Sequence, residues 1–179
     1  MIYPPIVTAE EFSASTGGRI PADDPRVQPL LDAATAAVRR YCRWHITPVV
    51  EETFIVDALG KTCSIPSLHI EELLEVQTGG QPVDLDDLEW TDSGLLRMKR
   101  GCWSQAWRGT EITVRHGYQA CPDVAQAIVR ACSAAISAPA GIVREQAGQV
   151  SFQYADSGPG MSSSIDYPLI ALYQVPWRL

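Results

Sequence analysis

The spacing of apolar positions divides the chain into a helical start, a strand-rich middle, a second helix and a C-terminal stretch of different character. Thr8 stands ahead of Glu10 and Glu11, so it can cap a short helix whose first turn carries the negative charge that the helix dipole favours. Phe12 is the apolar anchor of that helix, Gly17-Gly18 ends it, and the residues from Ile20 to Pro25 read as a turn. Val27, Leu30, Leu31, Ala34, Val38 and Tyr41 then recur at helical spacing and predict a long helix over about 25–43. Asp24 is its expected N-cap, Pro25 its first residue, and Pro29 falls early enough to be tolerated. Arg39-Arg40 suit the C-terminal end, and Pro48 ensures that the helix has stopped.

Beyond Glu51 the pattern shortens to strands punctuated by turn residues. Thr53–Val56 is an expected strand, turned through Ala58–Lys61 into Thr62–Ile65. Leu73–Thr78 meets Gln81–Val83 through Gly79-Gly80, a two-residue hairpin signal. Leu88–Trp90 and Leu95–Met98 flank Asp92-Ser93-Gly94, and Glu111–Arg115 alternates so that Ile112 and Val114 face a core. The block over about 51–116 therefore reads as an antiparallel sheet inserted between helices. Pro122-Asp123 opens the second long helix, with Val124, Ile128, Ala131, Cys132 and Ala135 on one face and an end near Pro139. Val150–Tyr154 alternates like a strand, Ser157–Ser164 has the composition of a flexible hinge, and 165–179 is rich in apolar and aromatic residues.

The expected fold class is α+β: two or three packed helices, an inserted antiparallel β-sheet and an extended C-terminal arm. The organisation that follows is an N-terminal arm and short helix over 1–23, a helical core with its inserted sheet over 24–138, and a hinge and docking arm over 139–179.

Composition narrows the function. A chain of 179 residues is one ordinary domain with arms, and 46% hydrophobic with 20% charged residues excludes wholesale disorder. Lys plus Arg number 14 against 21 Asp plus Glu, a net charge of -7, which argues against a broad basic face for nucleic acid. No apolar run approaches the ~20 residues that cross a bilayer, and Met1–Pro5 lacks the features of a signal peptide, so no membrane role is expected. The five cysteines, Cys42, Cys63, Cys102, Cys121 and Cys132, are odd in number and lack CxxC spacing, so reduced, mostly buried thiols are expected. His45, His69 and His116 do not sit beside paired cysteines, and neither a metal nor a cofactor is expected.

Catalytic motifs are absent: there is no nucleophile elbow, phosphate-binding loop, dinucleotide fingerprint or zinc-protease helix motif. Cys42 with His45, and Cys121 with His116, raise a thiol hydrolase as an alternative, set against the common case of a buried packing thiol. Glu71, Glu72 and Glu75, and Asp84, Asp86 and Asp87, read as solvated carboxylates rather than a metal or acid–base set. Trp103 and Trp107, with Arg100 and Arg108 nearby, form a candidate contact loop. The acidic balance favours a protein partner or a core cap there over single-stranded nucleic acid. The C-terminal stretch either folds back to complete its own core or docks on another chain through Tyr167, Leu169, Leu172, Tyr173, Trp177 and Leu179. On the docking alternative, residues 165–179 are expected to be dispensable for folding.

Three stretches together resemble the head-tail connector, or adaptor, proteins of tailed bacteriophages, also called head-completion proteins. The first runs from Asp23-Asp24-Pro25 through Leu30-Leu31-Asp32-Ala33-Ala34 to Tyr41-Cys42. The second is Asp92–Met98 followed by Gly101 and Trp103. The third is Val114-Arg115-His116-Gly117-Tyr118 followed by Pro122–Ile128. They span about 8–138. The resemblance implies a non-enzymatic virion protein, made in the bacterial host cytoplasm, that forms a ring (typically a dodecamer) beneath the portal protein. Such a ring is a homo-oligomer in the neck, extends the channel through which double-stranded DNA passes without sequence-specific binding, and gives downstream stopper or tail proteins a docking surface. It uses no cofactor. Another neck component, a stopper or tail-completion protein, is the neighbouring alternative.

Overall fold

The computed structural model describes residues 3–58, 60–137, 144–147, 150–153 and 166–176, with an α+β architecture. It divides into two compact units, one of 1–42 with 121–172 and the other of 43–120 with 173–179.

The first unit is mainly helical. Helix α1 (Ala9–Ser15) opens with the predicted cap: Thr8 Oγ1 accepts the Glu11 N–H at 3.2 Å, and Glu11 Oε2 accepts the Thr8 N–H at 2.8 Å. This reciprocal capping box satisfies two amides that the helix cannot. Phe12 is fully buried, and Gly17-Gly18, both at positive φ, close the C-terminus. Helix α2 (Val27–Cys42) starts two residues later than the sequence pattern suggests. Asp24 still organises the start, since its carboxylate accepts the Arg26 amide at 2.9 Å and holds the guanidinium at 2.7 Å. Hydrogen bonds from Arg26 hold the Asp24 carboxyl down at about 2.

The buried face of α2 is Val27, Leu31, Ala34, Thr35, Val38 and Cys42. It is rotated from the expected stripe, with Leu30 and Tyr41 only half-buried and Thr35 and Cys42 in the interior. Helix α3 (Pro122–Ser137) buries Val124, Ala127, Ile128 and Cys132, and α2 and α3 pack together. The short helix α4 (Asp166–Ala171) contacts both. It begins two residues before Pro168. In the first helical turn the proline lacks only an amide that has no intrahelical partner, so it costs little. Strands Arg144–Ala147 and Val150–Gln153 pair as an antiparallel hairpin, as the alternation at Val150 suggested.

The second unit holds two antiparallel sheets where the sequence suggested a single one. With β1 (Val50–Val56), β2 (Thr62–Ser64), β3 (Ile70–Thr78), β4 (Gln81–Pro82), β5 (Leu88–Trp90), β6 (Leu95–Met98) and β7 (Thr110–His116), the sheet orders are β1-β7-β3-β4 and β2-β6-β5. Thus β1 does not pair with β2, which follows it. It pairs along its whole length with β7, from Val50 opposite His116 to Val56 opposite Thr110. The β3–β4 turn at Gly79-Gly80 has φ of 58° and 74°, the pair of left-handed residues that a two-residue hairpin needs. Gly94 is fixed by space as well as by its φ of 83°, because a Cβ there would sit 2.5 Å from the Ile65 carbonyl oxygen. The core of this unit includes Cys63, Ile65, Leu73, Val76, Leu96, Met98, Trp103, Ile112 and Val114. Among the described residues no helix is long and apolar enough to cross a membrane.

Candidate functional site

The C-terminal segment is the first candidate, and its described part is bound to its own chain. In the helical unit, Ile170 is fully buried and its carbonyl oxygen lies 3.6 Å from the Cys42 thiol, which donates to it. In the sheet unit, the Trp44 indole N–H donates to the Tyr173 carbonyl at 2.7 Å and the Arg43 guanidinium donates to the Val175 carbonyl at 3.1 Å. Tyr118 and Tyr173 meet edge to face with ring centroids 5.6 Å apart. Of the two alternatives open in the sequence, residues 166–176 take the folded-back one. Leu169 and Tyr173 are half-buried, while Leu172 is 77% exposed. The Tyr167 side chain, Trp177 and Leu179 lie outside the described residues, as does the hinge over Ser157–Ser164.

The aromatic loop is split by the fold. Trp103 belongs to the core: it is 2% exposed, and its indole N–H donates to the Lys61 carbonyl at 2.9 Å. A buried indole needs such an acceptor, and the turn before β2 supplies it. Trp107 projects at 87% exposure. Beside it Arg108 has a φ of 53°, and its amide is held by the Asp57 carboxylate at 2.6 Å. The surface contact predicted here therefore reduces to Trp107 and Arg108. A second apolar surface lies on β5 and β6, where Trp90 and Leu95 line a groove of about 280 Å³ with Thr62 and Arg97.

Arg115 pairs with Glu71 at 3.2 Å and Glu72 at 3.0 Å, and Gln77 donates to Glu75 at 2.7 Å. Asp84 caps a 3-10 turn at Leu85–Asp87, where Asp86 and Asp87 are exposed. None of the five cysteines is in a disulfide. Burial, with a smaller contribution from Cys121, pushes the Cys42 thiol up to about 12. Such a group is protonated at neutral pH and is a poor nucleophile.

Sequence reasoning missed one cluster. His45, in the loop before β1, Glu52 on β1 and His116 at the end of β7 each offer a ligand atom, and these atoms lie within 4.8 Å of one another. His116 is fully buried; its Nε2 lies 3.2 Å from Glu52 Oε2 and its Nδ1 3.1 Å from Ser67 Oγ. His45 is 1% exposed and its Nε2 donates to the Pro48 carbonyl at 2.7 Å. The two imidazoles meet edge to face at 4.5 Å, and the Phe54 ring packs on His116 at 5.2 Å. Burial first, and His45 second, push His116 down to about 4 against the pull of Glu52, so it is neutral at pH 7. The signal was present in the alternation. Glu52 shares parity with Phe54, and His116 with Ile112 and Val114, so both polar residues occupy inward positions. The expected strands began at Thr53 and ended at Arg115, one residue short of each.

The fold these features sit on is similar to that of chains in three solved structures. A chain from the neck of an empty gene transfer agent (GTA) particle, computed with C6 symmetry, superposes with a TM-score of 0.63 at 14% identity, covering 100% of this chain and 95% of that one. A chain from the neck of the native GTA particle, computed with C12 symmetry, gives 0.54 at 13% identity over 100% and 98%. A chain of the native GTA virion gives 0.61 at 14% identity over 97% and 92%. No protein-family profile and no curated protein matches the sequence.

Proposed function

We propose that this protein is a structural neck component of a tailed-phage-like particle, acting as the adaptor ring between the portal and the downstream neck or tail proteins. The observation that carries the reading is end-to-end agreement of fold: neck chains of GTA particles cover this chain wholly and are themselves covered over 95% or more. The C6 and C12 symmetries of those necks support a ring built from copies of one chain. The connector-like stretches of the sequence support the same assignment independently of shape.

In such a ring each subunit meets its neighbour through two different patches, because a cyclic assembly is heterologous. Leu172, Trp107 with Arg108, and the Trp90–Leu95 groove are exposed surfaces offered for neighbour and portal contacts. Tyr167, Leu169, Tyr173, Trp177 and Leu179 complete the proposed portal-facing segment. The net charge of -7 suits a channel that double-stranded DNA traverses without being held, since an acidic wall repels phosphate. A thiol hydrolase built on Cys42 fits less well, because its buried thiol stays protonated.

The test is to mix the purified chain with its portal ring and examine the product by electron microscopy. The adaptor reading expects added density of sixfold or twelvefold symmetry on the tail-facing end of the portal. Density on the tail-side neck proteins instead, with a bare portal, would move the chain to a stopper or tail-completion role.

A further inference from the structure

We propose that His45, Glu52 and His116 form a binding site for one divalent transition metal of the zinc type, which would staple the β1–β7 edge to the loop before β1.

The position of the cluster is the first argument. Glu52 and His116 stand at inward register positions on paired strands, where Phe54, Ile112 and Val114 supply the core. A polar pair at such positions breaks the pattern that builds the sheet, and breaks of this kind concentrate at functional sites.

Geometry is the second. Zinc bonds of about 2.0–2.1 Å in a tetrahedron place neighbouring ligand atoms about 3.3 Å apart. Glu52 Oε2 and His116 Nε2 already stand 3.2 Å apart, and all three donors fall within 4.8 Å. The His45 imidazole, within that 4.8 Å, supplies the third donor.

The outer contacts match those of metal-binding imidazoles. Such a histidine passes its other ring N–H to a carbonyl or another oxygen, which fixes the tautomer and the ring plane. His45 gives Nε2–H to the Pro48 carbonyl, so Nδ1 is the nitrogen that carries its lone pair. His116 Nδ1 meets the fully buried Ser67 hydroxyl, which accepts or donates by rotating its proton. Metal at His116 Nε2 therefore requires the proton now facing Glu52 to leave and the ring to carry its proton on Nδ1, toward Ser67. The imidazole stays neutral throughout. Gly117 makes the close packing feasible: a Cβ at that residue, with φ of 109°, would collide with the His45 ring and sit 2.7 Å from the Pro48 carbonyl oxygen.

Two imidazoles and one carboxylate select zinc, cobalt, nickel or copper over magnesium or calcium. Glu52, with 16% of its side chain exposed, is the ligand on the solvent side.

The test uses the full chain, stripped with chelator and kept reduced with TCEP, and titrated with Co²⁺ and then Zn²⁺. The visible bands of four-coordinate Co²⁺, held by the three side chains and one water, should appear without sulfur-to-cobalt charge-transfer bands, and Zn²⁺ should displace the cobalt and raise the melting temperature. Glu52→Gln, nearly isosteric, should weaken Co²⁺ binding about tenfold or more with an unchanged circular dichroism spectrum. His116→Gln should abolish it; should that variant not fold, Glu52→Gln carries the test. Absence of the bands, bands of sulfur character, or undiminished affinity in Glu52→Gln would each overturn the proposal.

Discussion

The Trp44 indole N–H donates to the backbone carbonyl of Tyr173 across 2.7 Å, joining the start of the sheet unit to residues near the C-terminal end of the chain. Arg43 on Val175 and Tyr118 on Tyr173 reinforce the same seam. Trp44→Phe keeps most of the ring but leaves that carbonyl without its donor. The expected cost is about 1–2 kcal/mol, measured by urea denaturation. An unchanged midpoint would show that the bond contributes nothing.

Ile170 and Leu172 separate folding from docking. Ile170→Ala removes a fully buried side chain and should destabilise by about 2–5 kcal/mol. Leu172→Ala, at a highly exposed position, should change stability by no more than about 0.5 kcal/mol while weakening capture by the portal ring. For the same reason, deletion of 165–179 should lower the melting temperature. This reverses the expectation, drawn from the sequence, that the segment is dispensable for folding. A truncated chain that melts like the full one would restore it.

His116 makes stability depend on pH. Its folded value near 4 lies below the ordinary 6.5, so between these values the unfolded chain binds a proton that the folded chain refuses. Stability should therefore fall as pH drops from about 6.5 toward 4 and then level off, by at most about 3 kcal/mol from this group. His45 and Glu52 are the ionisable groups facing it, with Phe54 and Trp44 as apolar neighbours. Urea midpoints across this range in chelator-treated protein check it; His116→Gln should flatten the slope.

The thiols should differ in reactivity. Cys102 is exposed and should alkylate quickly in the folded protein. Cys42, at about 12, and Cys63 and Cys132, each at about 11, are raised by burial and should react only on unfolding. Intact mass against time reads this directly; fast labelling of Cys42 would contradict it.

Local signals were legible in the sequence, and long-range ones were not. The Thr8–Glu11 cap, the Gly79-Gly80 turn and the two long helices follow from neighbouring residues alone. The pairing of β1 with β7 joins segments far apart in sequence, and no local pattern chooses β7 over β2. Trp103 and Trp107 look alike in sequence; only the fold, which packs Trp103 into the apolar core and brings the Lys61 carbonyl to its indole N–H, makes one of them core. The histidine–glutamate cluster was hidden because Glu52 and His116 lie one residue outside the stretches whose alternation is plain, and His45 comes from the loop before β1.

If this chain forms the adaptor ring of a neck, the ring fixes its copy number per particle. Purified tailed particles carrying this chain would be digested with isotope-labelled standards, and the chain quantified against the major capsid protein. A ring with the symmetry of the GTA necks predicts six or twelve copies per particle. Absence from particles, or a copy number on the scale of the capsid shell, would rule the ring out.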